Sequence, residues 1–408
     1  MKQEGTIMLE YKLAFRNLFG AGLRTWLNVT VLSIAFVIII FYNGMLDGWN
    51  RQARNDTKAW ESGSSQIWHH LYDPYDQFTI ADAHAKVPAE YKPDIDRNLI
   101  TPVLIAQATA YPGGRLVNVL LKGITPSQTI LELPTVALGQ NQENTEDYIP
   151  AIVGTRMAHS AKLKQGDNLL VRWRDANGTF DAREVKIAAI YKTTVPTIDN
   201  GQIWIPLEKL REMTSMPDEA TYIVIGADYK EILKERGDGR QLQGWIYKDE
   251  KALLKELDDV IAAKKGGSKI VYGLLLAIAL LAIFDTQVLS IFRRQKEIGT
   301  YIALGMTRLR VIWIFTIEGS THSILAILLG SIWGIPLLML IQKTGIPMPS
   351  SVDQAGLAIG DSISPFYSAG MILSTILLVV ISSTIVSYLP TRRISKMRPT
   401  DALRGKMI

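Results

Sequence analysis

Four long apolar runs, at 25–46, 269–292, 311–341 and 365–389, alternate with segments of mixed composition. About 20 apolar residues in a helix cross the ~30 Å hydrocarbon core of a bilayer, so each run reads as a membrane span. The third is longer than one crossing needs. That predicts tilt, a kink at Gly330, Gly334 or Pro336, or extension past the bilayer. Ahead of the first span, residues 1–24 place Leu9, Leu13 and Leu18 near one helical face and Glu10, Lys12, Arg16 and Asn17 largely elsewhere, the pattern of an amphipathic helix lying on the membrane. The first run is too long for a signal peptide, and no small-x-small cleavage site follows it, so it reads as an uncleaved anchor.

Residues 47–268 have the composition of a soluble domain. Residues 50–61 continue the first helix. Strand-like runs follow at 66–70, 101–111, 116–121, 149–153, 168–173, 184–191, 201–205 and 221–226, with helical patterns at 155–163, 207–213 and 247–263. The expected fold is an α-helical membrane protein of four spans, with one large α/β (α+β) domain inserted between the first and second. Asn177-Gly178 between two strand-like runs predicts a hairpin. Lys264-Lys-Gly-Gly-Ser268 is expected to break the helix before the second span.

Charge supplies the sidedness. The net charge of +5 is concentrated at span ends rather than in a patch suited to nucleic acid, and no nucleic-acid partner is expected. The 293–310 loop holds five Lys or Arg and the 390–408 tail six, whereas the 342–364 loop has only Lys343. By the positive-inside rule both termini and 293–310 face the cytoplasm, and 47–268 and 342–364 lie outside it. The chain has no cysteine, so the inserted domain must hold together by its core alone.

The 293–310 loop carries the most informative motif. It contains Glu297-Ile298-Gly299, Ala303-Leu304-Gly305, Arg308 and Arg310, and Glu318 follows in the next span. Read from the residues alone, the loop is a basic topological anchor. The pattern resembles the MacB/FtsX-like family of ABC-transporter permeases, with Lys296 at a usual Arg and Met306 at a usual small residue. Further stretches fit: Leu13-Ala-Phe-Arg-Asn-Leu18 with Arg24-Thr25, Gly123-Ile-Thr-Pro126, Leu163-Lys-Gln-Gly-Asp167, and Pro390-Thr-Arg-Arg393 with Pro399-Thr-Asp-Ala-Leu403. The length and Thr193–Pro206 are most like the lipoprotein-release (LolC/LolE-like) branch. The hairpin at 171–183 has a tight turn where that branch carries an extended hook.

The resemblance implies that Glu297, Ile298, Gly299, Ala303, Leu304, Gly305 and Arg308 form a helix coupling to an ABC ATPase dimer. It also implies a second permease copy or paralogue in the membrane part, with room for a periplasmic carrier or outer-membrane component as a further partner. Cargo would be lipids or lipoproteins, and the location a bacterial inner membrane. The other reading of the same resemblance is a non-transporting permease that controls a cell-wall enzyme or senses antimicrobials.

No catalytic constellation is expected. The sequence lacks G-x-x-x-x-G-K-[ST], H-E-x-x-H and G-x-S-x-G, so ATP and Mg belong to a separate subunit and no metal site is expected. Three ionisable residues lie within spans, where such groups are costly and point to function or packing. Asp285 sits eight residues, about 12 Å, before Arg293 and is read as packing against a helix or a partner subunit. Glu318 and His322 share a face at i,i+4. Glu318 is expected to bond the coupling helix through Arg308 or Thr307.

Overall fold

The computed structural model describes residues 23–139, 148–229, 244–347 and 362–396. The amphipathic helix expected at 1–24 lies almost wholly outside these residues, as do most of the 342–364 loop and the tail beyond Lys396. The chain divides into two compact units. One is Met1–Trp49 with Ile261–Ile346 and Ile363–Ile408, and the other Asn50–Val260 with Pro347–Ser362.

The first unit is built on α1 (Leu23–Thr57), α4 (Lys255–Arg293), α5 (Gln295–Ala303), α6 (Arg308–Thr344) and α7 (Ala369–Thr391). Four of these, all but α5, are long and apolar enough to cross a membrane. Small residues set their packing. On α6, Gly330 and Gly334 face Phe36, Val37 and the Ser33 carbonyl of α1, and a Cβ on Gly334 would stand 2.6 Å from Val37 Cγ2. This is the close approach that a Gly-x-x-x-Gly spacing permits. Helix α6 is continuous through Pro336. Helix α7 starts later than its apolar run, because the Ser368 hydroxyl caps it by accepting from the Met371 amide at 3.2 Å.

The expected break at 264–268 does not occur. Helix α4 runs unbroken from Lys255 to Arg293 through Gly266 and Gly267. Each helical glycine costs about 1 kcal/mol relative to alanine. Contacts beside them offset it: the Ser268 hydroxyl bonds back to the Lys264 carbonyl at 2.9 Å, Lys265 pairs with Asp47 at 2.7 Å, and the Lys264 ammonium lies 4.2 Å from the Trp49 ring centre.

The second unit holds a nine-stranded sheet, with helices α2 (Thr155–Ala161) and α3 (Leu207–Thr214) between its strands in sequence. Its strands are β1 (Ser65–His69), β2 (Ile100–Ala110), β3 (Val117–Ile124), β4 (Ile149–Gly154), β5 (Asn168–Arg174), β6 (Phe180–Tyr191), β7 (Gln202–Pro206), β8 (Tyr222–Ile225) and β9 (Trp245–Lys248). The spatial order is β9-β1-β8-β2-β3-β7-β4-β6-β5, and β5 also pairs with β2. That extra pairing closes β2, β3, β7, β4, β6 and β5 into a six-stranded barrel. The strand alternation explains the closure: Leu169, Val171 and Trp173 of β5 are buried, while Asn168, Arg172 and Arg174 point out. The barrel core gathers Leu104, Leu121, Ala151, Val153, Val171, Trp173, Val185, Ile187 and Ile203, and the Trp173 indole donates to the Met213 carbonyl at 2.7 Å. The hairpin turn forms as the sequence predicts. Asp175 Oδ1 accepts from the Asn177 and Thr179 amides, and Gly178 takes a φ of +84°.

The ninth strand, β9, was not expected. Trp245–Lys248 falls at the start of the helical pattern at 247–263, and the strand wins because it pairs with β1 over Gln66–His69. On the opposite face of the sheet from the barrel core, Lys122 is buried, its ammonium 5.1 Å from the Trp204 ring centre and 5.7 Å from that of Tyr222. Burial lowers its pKa, and the Glu61 carboxylate partly counters that.

Gly154 is a packing constraint in this unit. A Cβ there would lie 2.2 Å from Asp199 Oδ1 and 2.5 Å from the Asp199 Cα and carbonyl oxygen. Gly154→Ala should therefore destabilise the domain by about 3 kcal/mol. For this domain size that lowers the melting midpoint by roughly 6–12 °C, to be read by calorimetry of the purified protein in detergent.

Candidate functional site: the segment between the second and third spans

The chain leaves α4 at Arg293, turns at Arg294, and enters the nine-residue helix α5. Its buried side rests on Ile298 and Gly299. Ile298 joins Ile291, Val311, Ile312, Phe315 and Ile394 in a small apolar core, with Tyr301, Ile302 and Met306 at the edge. Gly305, at φ +96°, ends the helix with a reversal, and the Thr307 hydroxyl caps α6 by accepting from the Arg310 amide at 3.4 Å. Glycine fits here because that φ strains any residue with a Cβ.

Arg294 fastens this helix to the third span. Its Nε and Nη2 donate to the two oxygens of Glu297 at 2.6 and 2.8 Å, and its Nη1 donates to both oxygens of Glu318 at 3.1 and 2.8 Å. The guanidinium also lies 4.7 Å from the centre of the buried Phe315 ring. The Tyr301 hydroxyl donates to Glu297 Oε1 at 2.8 Å. One cation thus joins the helix to α6. Burial disfavours the Arg294 charge, but the bonds from Glu297 and the Glu318 carboxylate outweigh it and its pKa is raised. The Arg294 bond, helped by Tyr301, lowers the Glu297 pKa against the opposing effect of burial. Burial and the Glu297 bond raise that of Tyr301.

The structure separates the residues singled out in the sequence. Glu297, Ile298 and Gly299 belong to the seated side. Ala303, Leu304, Gly305 and Arg308 form an exposed rim, and Leu304 is 79% exposed. Glu318 does reach the coupling segment, but it does so through Arg294, a residue counted in the sequence only as a basic charge. The signal was present in part, since Arg294 and Glu297 stand at i,i+3.

His322 is buried one turn beyond Glu318. Its Nδ1 lies 3.2 Å from the Glu318 and Gly319 carbonyls, so it donates to them, and its Nε2 has no partner among the described residues. Helices α6 and α7 meet here along a polar seam that the sequence reading passed over. The Thr316 and Thr391 hydroxyls are 3.0 Å apart, and the antiparallel register that this sets brings Gly319 against Ser387. Gln287 of α4 reaches the same point. Asp285, by contrast, is exposed on its span, with no partner among the described residues.

Residues 269–399, which contain this whole arrangement, match the family described as FtsX-like permease C-terminal. The spans from the second onward therefore form an FtsX-like permease domain. This permease is similar to the lipoprotein-releasing system transmembrane protein LolC of Neisseria meningitidis serogroup B, 21% identical over 342 residues, covering 74% of this chain and 77% of the relative. Among solved structures it is similar to the extracellular domain of the noncanonic ABC-type transporter YknZ from Gram-positive bacteria, at 12% identity and a TM-score of 0.26, covering 45% of this chain and 99% of that one. That overlap is too loose to bear on the fold or the function.

Proposed function

We propose that this permease is the membrane part of an ATP-driven machine that releases or exports lipids or lipoproteins, and that it works by transmitting movement rather than by making or breaking bonds. ATP and Mg bind a separate ATPase dimer. That dimer docks on the exposed rim where α5 turns into α6, at Ala303, Leu304, Gly305 and Arg308, and its closure displaces α5. The observation that carries this reading is the division of the segment between α4 and α6 into a rim open to a partner and a side locked to α6 through Arg294, Glu297 and Glu318. A force on the rim has a stiff, charge-assisted path into the third span. Lys and Arg at the span ends support an inner-membrane orientation with both termini and α5 on the cytoplasmic side. The name of the N. meningitidis relative, a lipoprotein-releasing system, supports the cargo class.

The membrane part contains a second permease subunit in this reading, either another copy or a paralogue. Asp285 supports it. An exposed carboxylate within a span is costly against lipid, and Leu274, Ile278, Leu281 and Leu289 continue its exposed face at helical spacing.

The decisive experiment is Leu304→Asp in the full chain, co-purified and reconstituted with its ATPase in lipid nanodiscs. Leu304 touches little of its own chain, so the melting temperature should stay within about a degree of the parent. Permease-dependent ATP hydrolysis and recovery of the ATPase should each fall at least tenfold. Unchanged hydrolysis and recovery would remove the docking role from this rim.

A further inference from the structure

Residues 73–82 of the inserted domain form an ordered, acidic projection that carries the most exposed large apolar side chain among the described residues. Phe78 is 90% exposed and Tyr75 74%. Neither stands on a loose loop. Asp73 Oδ1 accepts from the Tyr75 amide and Asp76 Oδ1 from the Phe78 amide, both at 2.9 Å. The Thr79 hydroxyl donates to the Asp76 carbonyl at 2.8 Å, and the Tyr75 hydroxyl donates to Glu256 at 2.8 Å. Ile80 and Ala83 are buried beneath, and Gln107 of β2 donates to the Gln77 carbonyl. Such local side-chain bonds set the backbone before any partner arrives.

An exposed aromatic held in place loses little freedom when it is covered, and this is the character of an interface hot spot. Charge indicates what covers it. Asp73, Asp76 and Asp82 flank Phe78, Glu256 lies against Tyr75, and no Lys or Arg occurs from His70 to Ala85, although the chain as a whole is basic. A partner matched to this patch is positively charged around an apolar socket.

We propose that the 73–82 projection is a docking site for a separate soluble protein with a basic face, which takes Phe78 into an apolar pocket while its cations face Asp73, Asp76 and Asp82. The site is independent of the coupling segment, so the two readings stand or fall separately.

The test uses the full permease expressed with its ATPase in intact cells, with the photo-cross-linking residue p-benzoylphenylalanine in place of Phe78 or, as an exposed control, of Val136. Mass spectrometry should identify one predominant protein adduct at position 78 and not at 136, with the linked peptide rich in Lys or Arg. Next, D73N/D76N/D82N is added to the position-78 reporter. Asparagine keeps the side-chain oxygen acceptors that shape the turn and removes the charge. Adduct yield should fall at least fivefold, and basal ATP hydrolysis should be unchanged. The purified partner should then bind the permease about thirtyfold more weakly after Phe78→Ala, and more weakly in 0.5 M salt. Adducts only to lipid or to a second copy of the permease, no adduct, or an adduct indifferent to the three Asp→Asn changes would each overturn the proposal.

Discussion

Glu318→Leu should cost about 3 kcal/mol and reduce permease-stimulated ATP hydrolysis at least tenfold, although Glu318 lies about three helical turns along α6 from the rim. The reason is what it leaves behind. Glu318 is 7% exposed and accepts two bonds from Arg294, whose own guanidinium is largely buried against Phe315. Removing one member of a buried pair strands the other charge, at about 3–5 kcal/mol, and the lower end applies because Arg294 keeps Glu297. Two further variants separate charge from packing. Glu318→Gln keeps an acceptor and should lose less. Arg294→Met combined with Glu318→Leu removes both charges and should recover most of the melting temperature in detergent, because a buried ion pair is worth little against an apolar replacement. Stimulation of the ATPase should not recover with it, since the joint between α5 and α6 is gone. Recovery of both would mean that the pair serves stability alone.

Gly319→Val should separate α6 from α7. Any Cβ at 319 would stand 2.4 Å from Ser387 Oγ, 2.5 Å from Ser387 Cβ and 2.7 Å from Gln287 Nε2. The Ser387 Cβ is fixed to its backbone, so a side-chain rotation cannot clear it and the helices must move apart. Overpacking of this kind costs about 3 kcal/mol. Within a membrane, helix contact depends on close packing and hydrogen bonds rather than on water, so the seam should open instead of adjusting. Because the chain has no cysteine, T316C/T391C can report the contact directly. A short thiol cross-linker should join the two positions in the parent and at least tenfold less in Gly319→Val. Adding Ser387→Gly to Gly319→Ala should restore much of the cross-linking, and equal yields in all backgrounds would show that the seam tolerates a side chain at 319.

Much of this was visible in the sequence, for reasons that differ by element. The spans stood out because hydrocarbon demands long apolar helices. Eight strands stood out because alternation and Gly, Asn or Asp turns are local signals. The ninth, Trp245–Lys248, was hidden because only its pairing with Gln66–His69, far away in sequence, makes it a strand. The uninterrupted helix through Gly266 and Gly267 was misread for a similar reason: intrinsic propensity argued for a break, and contacts from Asp47 and Trp49 overrode it. At the coupling segment, family resemblance picked out Glu297, Gly299 and Glu318. It did not pick out Arg294, because a cation after a span already has an explanation in topology. Only the geometry shows its two carboxylates. The Gly319, Ser387 and Gln287 contact is invisible in one dimension, since small polar residues in spans are common and only register between helices makes these three meet.

Strand β2 has an effect that its length alone does not suggest. Its first residues pair with β8 while its last pair with β5, and β3 lies along its other side. The ring and the three-stranded wing are therefore stitched with a single thread. Loss of that strand unpairs both at once, so one melting transition is the expected result for the inserted domain, and a chain without disulfides gains from that common strand a shared fate for its two ends.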